Sequence, residues 1–598
     1  MAEAAGSEKK KTGKSGAAAH RPVRKGNQRP KLFAPTLQTM FSLPSEVLLS
    51  RLWRRIMQPV YGSRLYSLTL GSRSAGELQA GGDEATLGWP GDAQVGLQIL
   101  TGEFRFAGEA IRQPTPLSDP IGASEGWRYV LNTFPWINDL RDCGGPSARQ
   151  LAKHLIQRWV EENESYDPFT WRADILSARL RTLLLNHGYL EVNSDALFRS
   201  TLLRSLNRQA THLARALPDG LAGAALLKAI VALMLAGLML PRGEAFLARG
   251  RQLFAVELPK QMLADGGHVE RSPQVMLELL QHLVDLRDVL ALARQPMPDS
   301  LQMAIDNLAS VVVMLRHGDG TLASFNDTPE LQPAFLDSTL KRATERLRPL
   351  NQLPITGFQR LDRGKTSVIV DCGAPARHGF DDHAHAGTLS FELCYDGERM
   401  IVNCGAHPWS KEWRQVQRTT AAHSTVVVDN TNSAMLLPPT GLKVAGLDLG
   451  GMALKPEVVT SRREETDGQI WLDLSHDGYE ESFGLVHRRR LYLSADGHDF
   501  MGEDHLIGKG GNSFALRFHL HPLVQATVTQ NGQAALIKLP GGSGWRMRVQ
   551  GGDLTLAEGI YIGVGGQVRR TQQLMVMGTI ESNQTELKWL IQRESGKK

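Results

Sequence analysis

Cysteine is scarce in this chain: 598 residues hold four, Cys143, Cys372, Cys394 and Cys404. None stands in CxxC spacing, which argues against a disulfide scaffold and leaves buried free thiols as the default. Long apolar runs are lacking too, and none is long enough to span a bilayer. The most apolar segment, Ala222 to Leu240, is rich in Ala and Gly, carries Lys228 and reads as a buried helix. The N-terminal stretch MAEAAGSEKKKTGKSG is basic but has no apolar core behind it. It is not a secretory signal peptide, so a cytoplasmic location is expected. No RNP, zinc-finger or helix-turn-helix pattern is present, which removes nucleic acid as the expected partner. The net charge of +5 mildly favours an acidic partner such as a uronic-acid polysaccharide.

What is there divides into segments. The length exceeds what one core can organise, so two or three domains are expected. Residues 1–31 are rich in Ala, Gly, Ser, Lys and Arg and read as a disordered basic tail. Residues 32–87 form an N-terminal helical lead-in. Within it, Leu43 to Gln58 has helical spacing, with Ser42 as a possible cap and Pro59 as its end. This helix carries Arg51, Arg54 and Arg55. It admits two readings, a helix lying on a membrane surface or one packed on its own protein, and we take the second. Residues 88–330 are dominated by apolar residues near i, i+3, i+4 and i+7 with short loops between. Successive helical hairpins of this kind suit an incomplete (α/α) toroid. The spacing changes near Gly318 and Gly320. Residues 331–598 then run in short alternating segments such as TSVIVDCG, STVVVDN and SFALRFHLHP. These predict an antiparallel β-sandwich, giving an α+β multidomain chain.

The stretch His378 to Asn430 carries the most chemistry. His383 and His385 form a His-x-His pair before a predicted strand Thr388–Tyr395. Asn403 ends the next strand, and His423 opens a third. On extended backbone both rings of the pair share a face. Three imidazoles at the ends of strands expected to pair could build a metal site or a catalytic cluster. They could equally be polar residues on a sheet rim.

The pieces HAHAGTLSFEL, IVNCG and RTTAAHSTVVVDN resemble the C-terminal half of the heparinase II/III family of polysaccharide lyases. GWPGDAQVGLQILTGEFRF resembles the segment leading into that family's toroid, and DGGHVERSP resembles its DG-x-x-x-E-x-SP-x-Y turn. The resemblance implies that His383 lies in the catalytic cleft and that His385 and His423 hold zinc. The family's third ligand, an Asp, falls at Asn403. An amide brings no charge, so a metal-free site and a weak zinc site completed by water are both open. From the turn, His268, Glu270 and Arg271 are the expected toroid side of the cleft. Two family features are missing: Gln274 and Val275 follow Ser272-Pro273 where a Tyr is expected, and GLAGA (220–224) replaces an Asn-His pair.

The implied reaction is β-elimination on a uronic-acid polysaccharide. His383 and His268 would share acid and base work, with Arg271 or the metal neutralising the substrate carboxylate. The alternative is a non-catalytic protein of the same fold that binds polysaccharide or handles exopolysaccharide. The resemblance also opens a cell-envelope location. A glycoside hydrolase would need two opposed carboxylates, and the sequence gives Glu270 no obvious second one.

Overall fold

The computed structural model describes residues 43–71, 78, 87–438, 442–444, 447–529 and 532–594. The expected tail 1–31 lies outside the described residues.

Helix-forming periodicity and caps account for the first half. Asp195 caps the helix Ala196–Ala216 by accepting from Phe198 N, and Ser272 caps Pro273–Leu292 by accepting from Val275 N. The hub is Gly223–Met239, apolar on every face and almost wholly buried. It packs against Ala173–Leu185, Glu244–Gln261 and Pro273–Leu292. Its small residues set the spacing. A Cβ at Gly237 would stand 2.4 Å from Leu247 N, so glycine lets the backbone of Glu244–Gln261 close in. The helical half runs on through Pro333–Ala343, past the boundary expected at 330. Gln281 of Pro273–Leu292 donates to Thr339 at 2.9 Å and ties that last helix into the same core. A two-stranded hairpin, Glu103–Phe106 with Glu109–Arg112, precedes the main helices.

From Gln352 onward the chain is mainly β, with an eight-stranded and a nine-stranded antiparallel sheet among the described residues. Their inner faces build a second core in which Phe391, Phe500, Phe518 and Trp589 pack ring on ring. The predicted strands appear as Phe391–Tyr395, Glu398–Val402 and Val426–Val428. The first two pair. The third does not join them directly, contrary to the expected pairing. Both Glu398–Val402 and Val426–Val428 pair with the longer Ser513–Leu520, at opposite ends of it. That strand lines up the two short ones and brings Asn403 and His423 together.

The two halves share packing and polar bonds. Phe358 and Ile369, on the first strands, belong to the helical core. Asp265 accepts from Ile355 N, Thr356 N and Thr356 Oγ1 at 2.7–2.8 Å. The DGGHVERSP turn is thereby fastened to the start of the β half.

The lead-in helix, Ser45–Tyr61, buries Val47, Ser50 and Tyr61 against the protein. Its opposite face stays exposed.

Candidate active site between the two halves

His383 sits where the halves meet, its side chain 39% exposed. Its Nδ1 lies 3.2 Å from Asp327 Oδ2, and its Nε2 faces Glu270 Oε2 at 3.7 Å. The β half thus presents an imidazole to the toroid turn, as the sequence implied. Glu270 reaches this place because glycine stands opposite. Its Oε1 accepts from Ala224 N at 2.7 Å, at the start of Gly223–Met239. Gly223 has φ +56°, and a Cβ there would lie 1.9 Å from Glu270 Oε1. The GLAGA segment therefore offers a helix N-terminus where the family places two polar side chains. Gly223→Ala should displace the Glu270 carboxylate. We expect a loss of about 1–3 kcal/mol, read from denaturant midpoints, because a buried acceptor loses its donor.

Asp327 organises the cluster. Its Oδ2 also accepts from Arg414 Nε at 2.6 Å, and its Oδ1 lies 3.0 Å from His385 Nε2. Asn326 and Asp327 both have left-handed backbone, at φ +47° and +62°, a region that Asn and Asp tolerate best after glycine. Asn326 uses that turn to bond both halves. It donates to Arg271 O at 2.9 Å and accepts from His385 N at 3.2 Å. Burial opposes charge on Asp327, but the Arg414 charge and the hydrogen bond of His383 hold its carboxyl well below the ordinary range. Burial alone would lower the His383 pKa. The Asp327 hydrogen bond and the Glu270 charge outweigh it and raise the imidazole above its usual value. Burial pushes the Glu270 carboxyl up, partly offset by His383.

Two expected site residues turn away from the cleft. His268 is fully buried, with Nε2 3.0 Å from Gln261 Oε1 and Nδ1 accepting from Glu270 N at 3.3 Å. Burial pulls its pKa down to about 3, so the ring is neutral and positions Glu270's backbone. Arg271 is also buried. Its guanidinium pairs with Asp371 at 2.5 Å and donates to the carbonyls of Thr356, Ala374 and Gly357. No face is left for a substrate carboxylate. Trp136 and Arg179, of residue types that can line a sugar cleft, are wholly inside the helical core. At the position expected for Tyr, Gln274 donates to Glu278 at 2.7 Å, and Glu278 pairs with Lys228.

His385, His423 and Asn403 do converge, as a hydrogen-bonded chain. His385 Nδ1 lies 3.2 Å from His423 Nε2, and His423 Nδ1 lies 3.1 Å from Asn403 Oδ1. Asn403 Nδ2 donates to Glu392 Oε1 at 3.2 Å, and Glu392 Oε2 meets His317 Nε2 at 2.7 Å. That direction fixes the rest: the Asn403 oxygen accepts from His423 Nδ1–H, His423 Nε2 accepts from His385 Nδ1–H, and His385 Nε2 accepts from Asp327 N at 2.9 Å. Burial depresses both imidazoles, which suits neutral rings. A tetrahedral zinc needs three or four donors around one point. Here Asn403 lies on the far side of the His423 ring and Asp327 on the far side of His385, so only two nitrogens face each other. These residues do not fit a closed zinc site.

Sequence reasoning missed Asp327 and Arg414. The Gly-rich break around Gly318 and Gly320 carries no signal that reaches Asp327, and Arg414 lies within His378 to Asn430 outside the histidine pattern. Arg377 was missed as well. It is exposed, with its guanidinium 4.6 Å over the Phe380 ring. A Cβ placed on Gly223 would lie 3.3 Å from Phe380, which puts the ring that Arg377 covers near the Gly223 turn.

Residues 132–352 match the family description "Heparinase II/III N-terminus", and residues 345–590 match "Heparinase II/III-like, C-terminal". Heparinase III has the same fold with a TM-score of 0.68 at 15% identity, over 94% of each chain. The heparan sulfate lyase HepC from Pedobacter heparinus (crystallised as a mutant) aligns with a TM-score of 0.60 at 16% identity, over 89% of this chain and 88% of that one. At such identity the likeness is one of fold. FtsZ-localized protein C of Caulobacter vibrioides is 31% identical over 526 residues, covering 85% of this chain and 89% of that protein. With its helical and β halves each matched in order, and an incomplete toroid leading into an antiparallel sandwich, the chain belongs to the heparinase II/III family.

Proposed function

We propose that this protein cleaves an acidic, uronate-containing polysaccharide by β-elimination in the cleft between its halves. One observation carries the reading: His383 is oriented by Asp327 on one ring nitrogen while the other faces Glu270 across 3.7 Å. A carboxylate-backed imidazole opposite a second acid–base group, open to solvent, is an arrangement for proton transfer. In the proposed step Glu270 takes the C5 proton and the C4–O bond breaks. His383 delivers a proton to the departing oxygen, and a C4–C5 double bond remains. Arg377, on the rim, neutralises the uronate carboxylate in place of Arg271. Asp327 is 8% exposed and its carboxylate is engaged by Arg414 and His383, so it orients His383 and does not flank a glycosidic bond. The reading predicts product absorbance from a double bond conjugated to a carboxylate when purified protein meets a panel of acidic glycans.

A second reading has its own support. The relative FtsZ-localized protein C is named for its place and not for a reaction, and the GLAGA segment lacks the family's polar pair. A non-catalytic, polysaccharide-binding protein working near FtsZ would bind members of the panel and release no unsaturated product.

We further propose that the His385–His423–Asn403 chain works without zinc. Elemental analysis should then find little zinc in purified protein, and mild chelation should leave the unfolding midpoint unchanged. Full occupancy surviving chelation would contradict this.

A further inference from the structure

We propose that the helix Ser45–Tyr61, with the following Arg64–Thr69, seats the protein on an anionic lipid bilayer, lying in its surface without crossing it. The inner face of the first helix is clamped to the protein. Ser50 Oγ accepts from Gly220 N at 2.7 Å, Arg54 lies 3.8 Å from Asp219, and Lys260 pairs with Glu46 at 2.9 Å. The outer face is a continuous apolar stripe. Leu49, Leu52, Trp53, Ile56 and Val60 follow i, i+3, i+4, i+7 and i+11 spacing and are 37–65% exposed. On the short helix that follows, Leu65 and Leu68 are 76% and 78% exposed. Of the 27 large apolar residues exposed among the described residues, these seven fall within twenty positions. Scattered exposed apolar residues are ordinary, but a clustered stripe marks an interaction surface.

Charge identifies the occupant. Arg51, Arg55 and Arg64 accompany the stripe in sequence, Arg54 faces Asp219, and the segment's one acid, Glu46, is paired with Lys260. The sequence just upstream, residues 1–42, adds nine lysines and arginines against two glutamates. An apolar stripe with cations beside it matches an acyl layer under anionic headgroups. No helix of the described residues is long and apolar enough to cross a membrane. The helix also abuts the cleft rim. Arg51 packs by Gly220, on the turn before the helix that Glu270 caps, and Pro44 packs by Gly379 in the loop leading to His383. Seating the helix would hold that rim beside the bilayer. The inference is independent of the reaction proposed for the cleft.

The test is co-sedimentation of the full chain with vesicles of phosphatidylglycerol and phosphatidylethanolamine, and with phosphatidylcholine vesicles. Binding should favour the anionic vesicles by about tenfold or more and weaken with salt. The double variant Trp53→Glu/Ile56→Glu should lose about tenfold or more of that binding. Its unfolding midpoint should not move, because both side chains are exposed. His383→Ala should bind vesicles as the wild type does. Three results would overturn the proposal. The wild type could ignore anionic vesicles. The double variant could bind normally, which would assign binding to the basic tail alone. Sedimentation velocity could reveal a dimer that the double variant splits, which would assign the stripe to a second copy.

Discussion

Arg271→Ala should unfold at a much lower denaturant concentration than the wild type, with a loss of about 3–5 kcal/mol. The guanidinium is buried, and its partner Asp371 is buried with it. Removing one member of such a pair leaves the other charge in a poorly solvating place, and here three backbone carbonyls lose their donor as well. The pH dependence has a definite sign. Burial already raises the Asp371 carboxyl above its ordinary value, with Arg271 opposing. Without Arg271 the folded-state pKa rises further. A group whose folded pKa exceeds its unfolded value favours folding at low pH and loses that advantage as pH rises. The deficit of Arg271→Ala should therefore be larger near neutrality than near the unfolded carboxyl pKa of about 4. Chemical denaturation at both pH values measures it. A wild-type midpoint would mean that Arg271 faces the cleft, as the family resemblance implied.

The second large effect belongs to Asp327. Asp327→Asn keeps the volume and removes the charge that Arg414 and His383 share. His383 would lose the acceptor that fixes its ring. Turnover of any accepted glycan should fall about 10²–10⁴-fold, the range that general acid–base catalysis supplies. Binding of the same glycan should change far less, because Asp327 is enclosed behind His383. Equal losses in binding and turnover would instead make Asp327 a part of the substrate site.

Much of the architecture was legible because it depends on local periodicity. The 3.6-residue spacing before Leu315 and the two-residue alternation after Thr356 reported the two halves directly. The boundary shifted to Ala343 because the helix Pro333–Ala343 is short and belongs to the core through Thr339, a contact 58 residues away in sequence. The site was half legible. His-x-His and DGGHVERSP marked both walls. Asp327 was invisible because it meets its imidazoles 56 and 58 residues on, and Asn-Asp after a Gly-rich turn reads as loop chemistry. Arg271 was misdirected for the same reason. A polar residue in a Gly-rich turn can point either way, and Asp371 lies a hundred positions further along. The lead-in helix divides the two readings of its sequence, with one face packed on the protein and the other exposed.

The most direct test of the central claim compares wild type with His383→Ala on the acidic glycan panel, with binding and absorbance of unsaturated product followed in parallel. The account predicts that the wild type releases unsaturated uronate product from at least one glycan. His383→Ala should bind that glycan with similar affinity, keep the same unfolding midpoint and release none. Unchanged turnover in the variant, or glycan binding by the wild type with no product from any member, would contradict it.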